Sequence, residues 1–322
     1  MNILITGGAG YVGSVTARLL REAGHTITII DNLSRGFKEA IPAGVRFIHA
    51  DIADTAKHIT KKDKIDAVVH LAAFAYVGES VHSPELYWKN NVVSTIHLLE
   101  AMRELGIHKI VFASSCATYG EPETMPITED MPTKPVNPYG MTKLAIDMAL
   151  TTEAHAHDLA ATSLRFFNVA GAYKDAGERH DPETHIIPLT HHAITGKRDK
   201  FTLFGTDYPT PDGTCVRDYI HVLDLARAIE MALSSTPNGE HKIYNLGTGT
   251  GFSNQQIVDT VRNVTGQDFV IEYGDRRPGD PPTLVAANQL AREGLGWEPK
   301  HSTLEEMIGD AWHFHQTQSA EA

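Results

Sequence analysis

Residues 1–14 read MNILITGGAGYVGS, and the succession of residue types in them sets the fold. Residues 2–6 are a short, nearly continuous apolar run with no leader before it, the pattern of a strand buried on both faces of a parallel sheet. The run breaks into Gly7-Gly8-Ala9-Gly10, after which Val12, Val15, Leu19 and Leu20 recur on one face of a helix. Gly8, Gly10 and Gly13 match G-x-G-x-x-G, and Gly7, Gly10 and Gly13 match G-x-x-G-x-x-G. Strand, glycine turn and helix together form a phosphate cradle. Without Cβ atoms the turn closes tightly, and a pyrophosphate reaches the N–H groups at the helix start. Residues 26–30 read as the next strand and end in Asp31. An acid there accepts both hydroxyls of an adenosine ribose and repels a 2′-phosphate, which favours NAD over NADP. Arg35 lies close enough in sequence to soften that preference. The alternative is a glycine-rich turn that binds nothing.

Bulk properties narrow the function. A chain of 322 residues has room for about two domains and a large core. Lys and Arg total 28 against 40 Asp and Glu, a formal charge of -12, which argues against nucleic acid or an anionic membrane as the main partner. It leaves room for an anionic small molecule, since a few local arginines decide that. No apolar run approaches the ~20 residues of a membrane span. Cys116 and Cys215 give no disulfide framework, so the expected compartment is the reducing cytoplasm. The pairs His191-His192 and His155-x-His157 lack metal spacing and read as solvated surface, with no metal expected.

Further along, residues 45–49 read as a third strand ending near Asp51 and Ile52, and residues 66–71 as a fourth, followed by the small residues Ala72 and Ala73. Small residues at a strand's carboxyl end let a dinucleotide lie across the sheet. Residues 84–105 read as one long helix with Leu86, Asn90, Val93, His97 and Leu98 near one stripe, and Asn90 as the amide that meets a cofactor. Residues 109–113 and 161–167 give the fifth and sixth strands. The alternation describes an α/β fold, a doubly wound parallel sheet of Rossmann type, with a smaller C-terminal substrate-binding domain. The cofactor domain spans residues 1–169 and the second domain 170–322, with segments near 216–250 returning to the main sheet. A helix is expected over residues 188–195, and residues 316–322 as a frayed tail.

Asn137 and Pro138 are a good helix start, which stacks Tyr139 and Lys143 as i and i+4 on one face. Free tyrosine titrates near 10, so a base at neutral pH needs about 4 kcal/mol of extra stabilisation for the phenolate. An ammonium one turn away supplies part of it. Ser115, leaving the fifth strand, shares the proton path. The bland alternative is a packed tyrosine and a solvated lysine.

This order of features resembles the extended short-chain dehydrogenase/reductase family. The similarity continues through VGES (77–80), PYGMTK (138–143), RFFN (165–168), GTDYPTPDGTCVRDYIHV (205–222) and RRPGD (276–280), a set typical of its UDP-sugar 4-epimerase branch. The resemblance implies interconversion of UDP-glucose and UDP-galactose through a 4-keto sugar, with NAD retained and regenerated. Tyr139, Lys143 and Ser115 would be catalytic. Gly7, Gly10, Tyr11, Val12, Gly13, Asp31, Asn32, Asp51, Ile52, Leu71, Ala72, Ala73, Asn90 and Phe166, with Tyr139 and Lys143, would contact NAD. Asn168, His185, Arg217, Arg277 and Asp280 would join Ser115 and Tyr139 around the UDP-sugar. For Arg217 the residues also allow a salt bridge to Asp218 or another carboxylate. The family's habit of pairing through cofactor-domain helices implies a homodimer. Ala75, His185 and Leu284 depart from the family pattern, and an aliphatic Leu284 leaves room for an N-acetyl group. The segment Cys116 to Tyr119 also resembles a branch acting on UDP-xylose and UDP-arabinose. A sugar-nucleotide dehydratase would carry an Asp-Glu pair in the segment occupied here by Ser115-Cys116-Ala117, and an NAD-sensing module would not need Tyr139 or Lys143.

Overall fold

In the computed structural model the opening apolar run is strand β1 (Asn2–Thr6), with Ile3, Leu4 and Ile5 fully buried. Residues 1–277 and 280–321 are described, with side chains to residue 318. On one side β1 pairs with β2 (Thr26–Asp31), which pairs with β3 (Arg46–His49). On the other it pairs with β4 (Ala67–His70), followed by β5 (Lys109–Ser115) and β6 (Ala160–Phe166). Strand His241–Leu246 adds beyond β6, and all these pairings are parallel. The strand order reverses between β1 and β4, so a crevice opens beyond their carboxyl ends.

Alternation along the strands feeds two cores. Ile3, Ile5, Ile27 and Ile29 pack under helix α1 (Tyr11–Glu22) and helix Val222–Ser235. Leu4, Ile30, Val68, Ile110 and Phe112 point the other way, against helices Ser94–Leu105 and Pro138–His157. Each such side chain, fully buried, contributes about 1.5–3 kcal/mol, so a continuous apolar strand is viable only in this doubly covered position. A third core, including Ile187, Leu203, Ile257, Val261 and Met307, lies beneath helices Ile186–Ile194, Asn254–Thr265 and Leu304–Glu321. Next to it, Val216–Arg217 runs between Phe252–Ser253 and Thr283–Leu284.

Three expectations are corrected. The single helix over residues 84–105 is interrupted: Pro84–Tyr87 passes into a wider π-type turn, Trp88–Val93, before Ser94–Leu105 resumes. Its inward face is Tyr87, Asn91, Ser94, Thr95 and Leu98, whereas Leu86, Val93 and His97 are exposed. His191 is not on the surface. It is 1 % exposed beside Trp312, and burial pushes its imidazole down to about 3, so it is neutral. The last helix continues to Glu321 through the segment expected to fray; Ala322 lies outside the described residues.

Candidate active site

One cavity of about 480 Å³ runs along the carboxyl ends of β1, β2, β4, β5 and β6. Its floor is the glycine turn. Gly7 sits at φ +72°, where a Cβ would lie 2.6 Å from the Ala72 nitrogen, and a Cβ on Gly13 would lie 2.1 Å from the Gly7 carbonyl oxygen. Only glycine lets β1, the Ala72 loop and α1 approach this closely. Gly10 precedes α1 with no side-chain cap, so the first N–H groups of the helix keep their capacity for an anion. At the tip of β2, Asp31 Oδ2 accepts from the Ala9 N–H at 3.0 Å and Oδ1 from the Leu33 N–H at 2.8 Å. Both oxygens keep a lone pair for a ribose hydroxyl. Asp51 accepts from Asn32 Nδ2 at 3.1 Å and from the Ala53 N–H at 2.9 Å, next to buried Ile52. Tyr11, Val12, Leu71, Ala72, Ala73, Asn90 and Phe166 complete this end of the wall. A pyrophosphate cradle, a fixed ribose acceptor and a lined slot fit a dinucleotide with a free 2′-hydroxyl. Arg35 does not oppose that fit: it is engaged by Glu79 at 2.5 Å and lies 5.2 and 5.0 Å from the Phe74 and Tyr76 ring centroids.

Of the adjacent amides Asn90 and Asn91, the fully buried one is Asn91, and a neighbouring loop supplies its partners. Its Oδ1 accepts from the Phe74 N–H at 2.8 Å, and its Nδ2 donates to the Phe74 carbonyl at 3.0 Å and to Thr142 Oγ1 at 3.2 Å. It thus ties the loop after β4 to the helix that carries Tyr139. Asn90, partly exposed, lines the cavity and donates to Asn91 Oδ1 at 3.0 Å.

That helix, Pro138–His157, starts as expected, with Asn137 Oδ1 accepting from the Gly140 N–H at 2.9 Å. Tyr139 and Lys143 lie on its buried face, 9 % and 3 % exposed. The Lys143 ammonium donates to the Ala113 carbonyl on β5 at 2.7 Å and lies 5.8 Å from the centroid of the Tyr139 ring. Burial pushes the Tyr139 phenol up to about 12, against a hydrogen bond with Ser115 that lowers it. Burial pushes Lys143 down to about 7, against the Asp147 carboxylate, which raises it. Both shifts disfavour charge in the pocket. Ser115, Tyr139 and Lys143 thus share one wall of the cavity.

A second cavity of about 170 Å³ adjoins the first, and Asn168, His185 and Asp280 line both. Arg217 and Arg277 line the second. Arg217 Nη2 pairs with Asp280 Oδ1 at 2.6 Å, so of the two pairings considered it takes a carboxylate other than Asp218. Asp218 instead accepts from the backbone N–H groups of Thr248, Gly249 and Ala286. Arg277 lies 4.3 Å from the Phe204 ring centroid. Pro278 and Gly279, within the RRPGD run, lie outside the described residues. Ala75 and Leu284 line the first cavity. The sequence reading missed the setting of His185, which appears as the spacing E-x-H-x-x-E-x-H. Its Nδ1 donates to Glu178 at 2.6 Å and to Glu183 at 3.1 Å, and His180 donates to Glu178 at 2.7 Å. The two carboxylates hold His185 well above its usual value, and the imidazoles hold Glu178 down at about 2.

Residues 3–247 match the model of the NAD dependent epimerase/dehydratase family. A protein of Corynebacterium glutamicum named UDP-glucose 4-epimerase is 54% identical over 314 residues, covering 98% of this chain and 95% of that protein. The crystal structure of UDP-glucose 4-epimerase from Brucella ovis in complex with NAD superposes with a TM-score of 0.93 at 44% identity, covering 97% of this chain and 98% of that one. The UDP-Glc/GlcNAc 4-epimerase of Campylobacter jejuni gives a TM-score of 0.85 at 38% identity, covering 98% of this chain and 99% of that one.

Proposed function

The chain belongs to the NAD dependent epimerase/dehydratase family, and from that membership we propose that it interconverts UDP-glucose and UDP-galactose by inverting C4 of the sugar. It is an NAD-dependent isomerase. The observation that carries the reading is the single wall holding Ser115, Tyr139 and Lys143, in a cavity that joins the glycine cradle to the Arg217–Asp280 pair.

On this reading Tyr139 takes the proton of the sugar 4-hydroxyl and later returns it, with Ser115 relaying it and the Lys143 ammonium stabilising the phenolate. NAD bound in the cradle supplies a hydride acceptor and donor for C4, by way of a 4-keto sugar, and a positive ring beside the phenol. Holding a phenol of about 12 as its anion at pH 7 takes about 7 kcal/mol. A buried ammonium and a hydroxyl donor, both inside a low-dielectric wall, are the groups that contribute it. Gly7, Gly10 and Gly13 hold the pyrophosphate, Asp31 the adenosine ribose and Asp51 and Ile52 the adenine, with Asn32 and Asn90 as further contacts to NAD. Arg217 and Arg277, with Asn168, hold the diphosphate, Asp280 lies at the uridine ribose and His185 near the uracil. A charge of -12 does not weaken that grip, because guanidinium–phosphate bonds are local. Residues 1–169 then form the cofactor unit and 170–322 the substrate unit, with 216–250 returning to the sheet. Val81, Trp88, Val93, Ile96 and Met148 leave apolar surface exposed on helices of the cofactor unit, which supports a homodimer across them. Free Cys116 and Cys215 support a reducing cytoplasm.

Purified protein incubated with UDP-galactose and no added NAD should yield UDP-glucose, resolved by chromatography. Tyr139→Phe should lower the rate by about 10²–10⁴-fold. No conversion by the native protein, even with NAD supplied, would overturn the assignment. Leu284 in the cavity wall favours a second reading of the sugar range, in which UDP-N-acetylglucosamine is also accepted, and the same assay with that substrate tests it.

A further inference from the structure

A buried ion pair lies one turn along the helix from the catalytic lysine. Asp147 follows Lys143 by one turn on helix Pro138–His157, and its side chain is 3 % exposed. Its Oδ2 collects three donors: Ser114 Oγ from β5 at 3.0 Å, and Arg165 Nε and Nη2 from β6 at 3.0 and 2.9 Å. Its Oδ1 is buried with no hydrogen-bond partner. That asymmetry is hard to explain as packing. Buried ion pairs are often no more stabilising than apolar residues of the same volume, and a half-satisfied carboxylate is worse. A carboxylate with one oxygen left unbonded keeps its negative charge available to neighbours in a low-dielectric interior.

The charged and titratable groups around the ammonium make that neighbour identifiable. Tyr139 and Asp147 come from its own helix, His70 from β4, and Arg165 from β6 behind the carboxylate. His241 stands on the far side of Asp147, hydrogen-bonded to Thr151 and Ser163. Burial pushes His70 down to about 3 and His241 down to about 4, so both are neutral at pH 7. Asp147 therefore supplies the negative charge on the protein side of Lys143, and Arg165 and Ser114 fix where it sits. We propose that Asp147, held by Arg165 and Ser114, is a positioning residue of the active site that keeps Lys143 protonated and so keeps Tyr139 available as a phenolate. Its hydrogen bonds run to Ser114 and Arg165 and not to Tyr139, and Lys143 lies between the two on successive turns of the helix, so it acts on the phenol through the lysine.

The test removes the charge without stranding its partner. Asp147→Asn alone leaves a buried Arg165 unpaired and is expected to unfold readily, so the informative protein is the double variant Asp147→Asn with Arg165→Met, which removes both charges from the core. In the NAD-loaded enzyme, Lys143 loses its proton as pH rises, so kcat for UDP-galactose falls along an alkaline limb. With Asp147 neutral, the ammonium is less stable and that limb should move toward acid by about one pH unit. Asp147→Glu, which keeps the charge, should restore the native midpoint. A second readout needs no turnover: the phenolate absorbance that Tyr139→Phe removes should appear at higher pH in the double variant than in the native holoprotein. This inference rests on the epimerase reading only through the first readout, so inactivity toward UDP-galactose and failure of the Asp147 role are told apart. A folded double variant whose alkaline limb and Tyr139 titration both coincide with the native ones would overturn the proposal.

Discussion

His185 holds a proton more tightly in the folded chain than in the unfolded one, because Glu178 and Glu183 face its ring, while Glu178 is held down at about 2 by the two imidazoles. The signs follow from linkage. A raised histidine contributes stability that is full below its unfolded value of 6.5 and is lost as pH rises through its folded value. A depressed carboxylate contributes stability that is full above its unfolded value of 4.5 and is lost as pH falls through about 2. The pair should therefore stabilise most between pH 4.5 and 6.5. Urea midpoints for native protein and Glu178→Gln should differ most in that window and converge on either side. At this scale the sequence was informative where a residue's chemistry is local. Tyr139, Lys143 and Asp31 were legible because spacing alone puts them at a helix start or a strand end. Asp147 was not, because its partners Ser114 and Arg165 stand on strands remote from it in sequence, and the loop that satisfies Asn91 was not, because Phe74 lies on the turn after β4.

The glycine turn carries the argument for the cofactor at the level of elements. Gly13→Ala would place a methyl 2.1 Å from the Gly7 carbonyl oxygen, so either the turn opens or α1 moves off β1. The purified variant should carry much less NAD, measured as nucleotide released on denaturation, and should melt several degrees lower for a loss of about 1–3 kcal/mol. The strand pattern was legible almost to the residue, since a doubly covered strand must be apolar throughout. The helix over 84–105 was the instructive failure. Periodicity assumes that apolar residues point inward, yet Leu86, Val93 and Ile96 are exposed while Ser94 and Thr95 are buried. Thr95 Oγ1 satisfies itself on the Asn91 carbonyl at 2.5 Å, and Ser94 Oγ reaches the Lys89 carbonyl at 3.4 Å across the π-type turn. Local hydrogen bonds make those hydroxyls cheap to bury, so the inward face need not be the most apolar one.

For the molecule as a whole, that outward apolar face is what a second copy would cover. Ile96→Lys combined with Met148→Lys, both at exposed positions on different helices, should shift the protein from dimer to monomer in light scattering and leave the resident NAD in place. A protein that remains monomeric at all concentrations before mutation would contradict the dimer. The two cavities meet at Asn168, His185 and Asp280, so on the proposed reading a substrate held by its nucleotide in one would present its sugar to Tyr139 in the other. Inversion by turning the sugar requires a firm grip on the nucleotide and a looser one on the sugar. In the proposed cycle the hydrogen removed from C4 returns to the same sugar. UDP-galactose carrying deuterium at C4 tests it: the UDP-glucose formed should retain the deuterium at C4, with none released to solvent or found in free NADH. Loss of the label to either would contradict the account.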